Sequence, residues 1–359
     1  MEMKEFIPKE LPPNFTPDAH IYKLLIRAHA KLGELKGVAK IIPNQNILIN
    51  SLVLQEAKES SAIENIITTH DELFLAQIEP SKMTKNAKEV QNYAKALRIG
   101  FALIQKEKIL RNKHILETHR ELEGNDAGFR TQKGTKLKNP LTGQIKHIPP
   151  QNNADIKRLM GNLECYINED MDSLDPLIKL AIIHYQFEAI HPFYDGNGRC
   201  GRILNILYLT HQGLLDLPIL YLSAYIIKYK DHYYELLAQV GQSGDFGAWV
   251  AYILEGVAKS AEATIHRVKK IQQAMRTYQQ ILQKRAPKIY SKDLIEILFS
   301  HPYTKIEFLE SRLNIHRHTA STYLKECENL KMLHSIKKGR NKYLVNVALF
   351  SILSQELIC

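Results

Sequence analysis

Residues His191–Arg202 read HPFYDGNGRCGR, and this stretch decides how the surrounding chain is organised. Upstream, Asp175 is placed to cap a helix and Pro176 fits its first turn, where a missing N–H costs nothing. Leu177, Leu180, Ala181, His184 and Phe187 follow at helical spacing. Pro192 ends that helix, and as the residue before a proline, His191 is expected in an extended conformation. HPFYDGNG then reads as a loop, and RCGRILNILYLTHQG as a helix closed by Gly213.

A glycine-bearing turn that feeds a helix leaves backbone amides unpaired, here those of Gly196, Asn197 and Gly198. The helix end adds partial positive charge, so the turn suits phosphate. Arg199 and Arg202 are three apart and share a helix face, from which both guanidinium groups could reach phosphate oxygens. Asp195 is the single carboxylate of the loop, and beside so many phosphate-directed cations it suits Mg²⁺. His191 is the group that can take a proton near neutral pH. Phosphate binding, a metal carboxylate and a base within twelve residues point to transfer of a phosphorus-centred group to a nucleophile. Neither G-x-x-x-x-G-K-[ST] nor the protein-kinase motif set is present.

Working outward, the text is mostly helical. Residues 20–50 read as an amphipathic helix broken at Gly33/Gly37 and followed by a Pro43–Asn44 turn, and residues 50–65, 86–106, 112–122 and 153–170 as further helices. Residues 128–150 lose the helical period, and the Asn139-Pro140 and Thr142-Gly143 pairs predict a hairpin or extended flap closed at Pro140–Gly143. Helices return at 223–240 and 246–285. Beyond Ala286-Pro287, helices at 291–300, 304–312 and 317–331 precede two short strands joined at Gly339-Arg340.

The chain has 359 residues, long enough for two or three domains, with 45% apolar and 24% charged residues. No apolar run reaches the roughly 18 residues of a membrane helix, and the N-terminus lacks a signal-peptide core, so a cytoplasmic location is expected. Cys165, Cys200, Cys327 and Cys359 form no C-x-x-C pair, which suggests scattered reduced thiols. Of the net charge of +10, residues 285–345 supply +6, so a nucleic acid or an acidic partner is one reading of that segment and a solvated basic surface the other.

HPFYDGNGRCGR resembles the signature of the Fic family, H-P-F-x-[D/E]-G-N-G-R-x-x-R, and all nine fixed positions match. The resemblance implies a mainly α fold, a helical bundle with a β-hairpin flap, and transfer of AMP from ATP to a hydroxyl of a target protein. It implies His191 as the base that deprotonates the hydroxyl, and Asp195 as the Mg²⁺ ligand. Gly196, Asn197, Gly198, Arg199, Cys200, Gly201 and Arg202 would form the phosphate-binding stretch, and Phe193 an apolar anchor beneath it. The flap would pair with the target by strand addition, with Gln144 to His147 as its nucleotide-side strand. Tyr233 and Tyr234 resemble the adenine-side wall, with Gly241 near them; simple core packing is the other reading of that pair.

SSAIEN at 60–65 resembles the family's inhibitory motif [S/T]-x-x-x-E-[G/N], with Ser60, Glu64 and Asn65 in place. Ser60 and Glu64 share one helix face, and Glu64 could pair with Arg199 where a γ-phosphate belongs. Residues 288–350 resemble a winged helix-turn-helix. In a DNA-binding version His316, Arg317, His318, Thr319, Ser321 and Thr322 would face the groove, with Lys337, Lys338, Arg340 and Lys342 as a basic wing; a protein-docking or dimer-stabilising module is the alternative. The expected organisation is an N-terminal helical region with the inhibitory helix (1–99), a catalytic core (100–255), a helical linker (256–287) and a winged helix-like domain (288–359). The expected substrate is ATP with Mg²⁺. Expected partners are a protein bearing a Ser, Thr or Tyr hydroxyl, the chain itself, a second copy in a homodimer, and DNA at the C-terminal domain, with no membrane. A DNA-binding regulator whose core senses nucleotide, and a family enzyme that removes AMP or uses another nucleotide, are the competing readings.

Overall fold

The computed structural model describes residues 4–78, 83–138, 142–338 and 341–355. Cys359, Asn139, Pro140, Gly339 and Arg340, singled out above, lie outside the described residues. An arm of residues 4–18 leads into α1 (Ala19–Ala39), which Asp18 caps by accepting from the Ile21 amide at 2.8 Å. The expected break at Gly33/Gly37 does not occur. Two helical glycines cost about 1 kcal/mol each, and the continuous buried stripe Ile21, Leu25, Ala28, Leu32, Leu35 and Ala39 outweighs them.

After α1 come α2 (Asn46–Ile63), α3 (His70–Ile78), α4 (Lys85–Glu107) and α5 (Asn112–Glu123). The hairpin β1 (Leu137–Lys138) and β2 (Ile145–His147) pairs antiparallel with its register shifted between Leu137 and Lys138. Then follow α6 (Asn153–Asn168), α7 (Pro176–Ile190) and α8 (Asn197–His211). Asp175 caps α7 with Pro176 in its first turn, as the sequence predicts. Both α7 and α8 are buried almost all round and pack on each other, with α4 and α5 against α8, and α2 against α4. The single helix expected at 223–240 is instead α9 (Ser223–Lys228) and α10 (Lys230–Ser243), because Tyr229 sits between them at φ −116°, ψ 39°. Next comes α11 (Gly247–Arg285), a helix of 39 residues that packs on α1 and α7.

The C-terminal unit comprises α12 (Lys292–Ser300), β3 (Tyr303–Thr304), α13 (Ile306–Leu313), α14 (Arg317–Asn329), β4 (Leu333–Lys338), β5 (Asn341–Asn346) and α15 (Val347–Ser354). Its antiparallel sheet has the order β3-β5-β4, and Asn314 at φ 51° makes the turn between α13 and α14. This unit packs on α2 and α3: Asn44 donates to Glu296 at 2.9 Å, Tyr303 donates to Asp71 at 2.8 Å, and Phe74 meets Phe350 edge-on at 5.8 Å. The expected borders at 99/100 and 255/256 fall inside α4 and α11. No helix among the described residues is long and apolar enough to cross a membrane.

Candidate active site

The loop between α7 and α8 is built by its own side chains. Asn197 accepts from the Phe193 amide at 2.8 Å and donates to the Phe193 carbonyl at 2.9 Å, so its amide side chain closes the turn. Phe193 is fully buried and stacks on His119 with ring centroids 3.6 Å apart, while His119 Nε2 meets the Asp195 carbonyl at 2.9 Å. Gly196 adopts φ 72°, a left-handed conformation that favours glycine, and a Cβ there would collide with the Glu123 carboxylate. The first bond of α8 runs from the Cys200 amide to the Gly196 carbonyl at 2.9 Å, so the helix leaves the amides of Asn197, Gly198 and Arg199 unused.

Cys200 is a correction to the expected phosphate-binding stretch: its amide is spent in the helix and its thiol is buried. Gly201 lies with it on the wall of α8 that meets Phe187 and Glu188. The Gly196 amide is also taken, donating to Asp195 Oδ1 at 2.7 Å. The second oxygen of the exposed Asp195 carboxylate stays open beside the unused amides, which is the donor chemistry a phosphate-bound Mg²⁺ requires.

His191 is not extended but left-handed, at φ 50°, ψ 60°. Its amide donates to the Phe187 carbonyl at 3.0 Å, so the demand to cap α7 overrides the preference of a pre-proline residue. Its Nδ1 is buried and makes no hydrogen bond of regular geometry among the described residues. Burial, reinforced by the positive charge of Arg130 and by His147, pushes its pKa down to about 3, so the imidazole is neutral and able to accept a proton at pH 7. Arg130, which sequence reasoning passed over, is the buried pin of this region. It donates through Nε to the His191 carbonyl at 2.8 Å and through Nη2 to the Pro150 carbonyl, and its amide donates to Pro192 at 2.9 Å. The exposed Tyr194 adds a second tie, its hydroxyl oxygen accepting from the amides of Thr131 at 2.9 Å and Gln132 at 3.2 Å. Both fasten the hairpin to the loop.

Ser60 and Glu64 come together with the arginines, as the helical spacing predicts. Glu64 lies 3.1 Å from Arg199 Nε and 2.7 Å from Arg202 Nη2, bridging the two. Arg202 also donates to Ser60 Oγ at 2.7 Å and to the Ser60 carbonyl at 3.0 Å. Burial opposes the charge on Arg202, but Glu64 together with Tyr233, Tyr93 and Glu188 raises its pKa. Asn65 follows Glu64 at φ 63°, a position Asn and Gly accept most readily, which gives a physical reason for the residue types at the end of that motif. A Cβ on Gly198 would come within 2.7 Å of Glu64 Oε1, so the glutamate already lies against the helix start. Arg199 holds two further carboxylates that no motif marks: Glu89 at 2.6 Å and Glu123 at 2.9 Å. One turn before Ser60, the buried Glu56 accepts from the Ser223 amide at 3.0 Å and from Tyr93 at 3.2 Å, anchoring α2. Burial pushes its pKa up to about 7.

The remaining predicted residues are spread around this centre. Gln144 is exposed near the hairpin tip. His147 is half-buried with Nε2 meeting the Ala189 carbonyl at 3.1 Å, so that nitrogen is engaged. Tyr233 is 1% exposed and its hydroxyl meets His184 Nε2 at 2.8 Å: it is core, and of the pair Tyr234 alone, 48% exposed, presents a ring. Gly241 lies along α10 with the Tyr185 hydroxyl beside it.

The Fic/DOC family model matches residues 109–209 and the Fic/DOC N-terminal model residues 22–102, so the loop and Glu64 fall in adjoining parts of one family pattern. The chain belongs to the Fic family. A model described as the C-terminal domain of protein adenylyltransferase SoFic-like proteins matches residues 274–349. Among curated relatives, protein adenylyltransferase fic-1 of Caenorhabditis briggsae is 30% identical over 192 residues, 52% of this chain and 35% of its own. Protein adenylyltransferase Fic of Nematostella vectensis is 29% identical over 193 residues, 52% and 40%. The chain therefore spans well under half the length of these two relatives. A Fic family protein from Desulfovibrio desulfuricans shares the fold over 94% of this chain and 99% of its own, with a TM-score of 0.59 at 21% identity. Fic-1 from C. elegans does so over 72% and 74%, with a TM-score of 0.51 at 23% identity.

Proposed function

We propose that this Fic-family chain transfers AMP from ATP to a hydroxyl of a protein and that Glu64 holds it in check. The observation that carries the reading is the bridge from Glu64 to Arg199 and Arg202, directly against the start of α8. Two guanidinium groups converging on a helix N-terminus with unused amides form a site for a polyphosphate, and a carboxylate occupies it. The names of the relatives, protein adenylyltransferases, point to the same chemistry.

In this reading the amides of Asn197, Gly198 and Arg199 and the two arginines grip the β- and γ-phosphates once Glu64 withdraws. Mg²⁺ held by Asp195 would neutralise charge on the phosphates. His191 Nε2 takes the proton as the target oxygen bonds to the α-phosphorus. The bond from that phosphorus to its bridging oxygen breaks, and pyrophosphate leaves. Neutral His191 needs no prior loss of a proton, and phosphates beside it would raise its basicity toward the useful range. Tyr234 offers the ring for adenine, and the hairpin offers a backbone edge for the target. The intact base, open carboxylate and pinned flap favour transfer over a pure nucleotide sensor. In the C-terminal unit, Arg317 is tied to Glu307 at 3.0 Å and Glu310 at 3.4 Å, and Lys342 to Glu328 at 3.2 Å. These carboxylates would meet DNA phosphates unfavourably, so we infer a bracing or protein-docking role.

The test is to incubate the Glu64→Gly variant with α-labelled ATP and cell lysate, and identify labelled proteins by mass spectrometry. Label on protein that vanishes with His191→Ala supports the reading. Equal labelling with and without His191 overturns it.

A further inference from the structure

Residues 128–150, which hold the hairpin, contain no Asp or Glu. Their cations are Arg130, Lys133, Lys136, Lys138 and Lys146. Arg130 is spent inside the fold, but all four lysines are exposed and none has a hydrogen-bond or ion partner among the described residues. Their placement follows the strand period. Leu137, Ile145 and His147 turn inward and are half-buried, with His147 tied to Ala189, whereas Lys136, Lys138 and Lys146 turn outward. The nearest carboxylate of the N-terminal arm, Glu5, accepts from the Gln151 amide at 2.7 Å, and the Phe6 amide donates to the Ile148 carbonyl at 2.8 Å, so the arm braces the flap exit. Asp195 in the loop is engaged with the Gly196 amide.

We propose that the flap selects targets whose docking segment is acidic: an extended protein stretch with Asp or Glu at alternate positions beside the modified hydroxyl. The proposal rests on the transferase reading above and names the substrate class of that site. A strand added to the hairpin presents side chains at a repeat of two residues, the repeat at which the lysines stand. Opposite charges across strands favour this pairing and like charges oppose it. A polyanionic nucleic acid fits less well, because the loop that Arg130 and Tyr194 fasten to the flap carries the exposed carboxylate of Asp195.

The test uses the full chain carrying Glu64→Gly and two fluorescent peptides with the same central Ser-Tyr-Thr, one flanked by alternating Asp/Glu and one by alternating Lys. Anisotropy gives binding, and α-labelled ATP gives transfer. The acidic peptide should bind and be labelled about tenfold better at low salt, from the sum of several exposed pairs. That advantage should shrink at high salt and reverse in Lys136→Glu/Lys138→Glu/Lys146→Glu. Equal binding of the two peptides, or a preference the triple variant retains, overturns the proposal. So does a single-stranded oligonucleotide that binds through these lysines while the peptides show no preference. Peptide binding is read without catalysis, whereas loss of self-labelling and of ATP binding in Glu64→Gly would strike the transferase reading instead.

Discussion

Replacing Glu64 by glycine removes contacts to both arginines, and the two losses are unequal. Arg199 keeps Glu89 and Glu123, but among the described residues Glu64 is the sole ion-pair partner of the buried Arg202. Hydrogen bonds to charged groups contribute about 1.5–3 kcal/mol, and the Glu64 side chain is 27% exposed, so most of one such bond is at stake. If that energy now opposes phosphate binding, its loss of ~2–3 kcal/mol raises transfer roughly 30- to 150-fold. Stability should move the other way. Arg202 stays buried with Ser60 as its neutral partner, and the melting temperature should fall by a few degrees, about 2–4 °C per kcal/mol for a chain of this size. ATP should restore much of that loss by binding the folded state. Self-labelling with α-labelled ATP and a thermal melt with and without nucleotide measure both effects. An unchanged rate together with an unchanged melt would refute the bridge as an inhibitory contact.

His191→Ala should abolish transfer while leaving ATP affinity within about twofold, checked by labelling and by titration with a fluorescent ATP. Arg130→Met should lower the melting temperature and reduce protein labelling while ATP still binds, because the pin from hairpin to loop is lost; labelling at the parent rate would remove Arg130 from this role. His184 and His191 are both pushed down to about 3 by burial, so their stabilising contribution is present above pH 6.5 and lost as pH falls toward 3. Glu56 and Glu188, both pushed up to about 7 by burial, offset this loss in the parent, so the comparison is between the parent and His184→Gln. In urea unfolding the parent's margin over that variant should shrink by about 1.4 kcal/mol per pH unit below 6.5, and a margin that stays constant from pH 6.5 to 5 would contradict this. Glu56, pushed up to about 7 by burial, has the opposite sign: its neutral form stabilises below pH 4.5 and that contribution is lost as pH rises through 7. Glu56→Gln should therefore gain stability over the parent at pH 8 and not at pH 5.

The catalytic loop was legible because its chemistry is local: a turn, two arginines one helical turn apart, a carboxylate and an imidazole within twelve residues. The proposed inhibitory pair stood out for the same reason, since Ser60 and Glu64 lie one turn apart at the end of α2. What joins them is not local. Arg202 meets Ser60 across 142 positions of sequence and Arg199 meets Glu89 across 110, and nothing in helical periodicity marks Glu89 or Glu123 among other surface-patterned glutamates. Arg130 looked like one more cation of a polar flap, and only the fold turns its guanidinium toward three stretches of backbone. Two backbone expectations failed through competition between rules. The cap of α7 prevailed over the pre-proline preference at His191, and a continuous apolar stripe prevailed over Gly33 and Gly37. Tyr233 and Tyr234 show the limit of adjacency, because neighbours on a helix point about 100° apart and one went to the core.

In the proposed reaction the start of α8 grips ATP so that its α-phosphorus meets a protein hydroxyl. Parallel reactions of Glu64→Gly with ATP labelled at the α- or the γ-phosphate test it most directly. Protein should carry the α-label alone, with labelled pyrophosphate released from the γ-labelled reaction. Protein carrying the γ-label, or neither label with ATP bound, would contradict it.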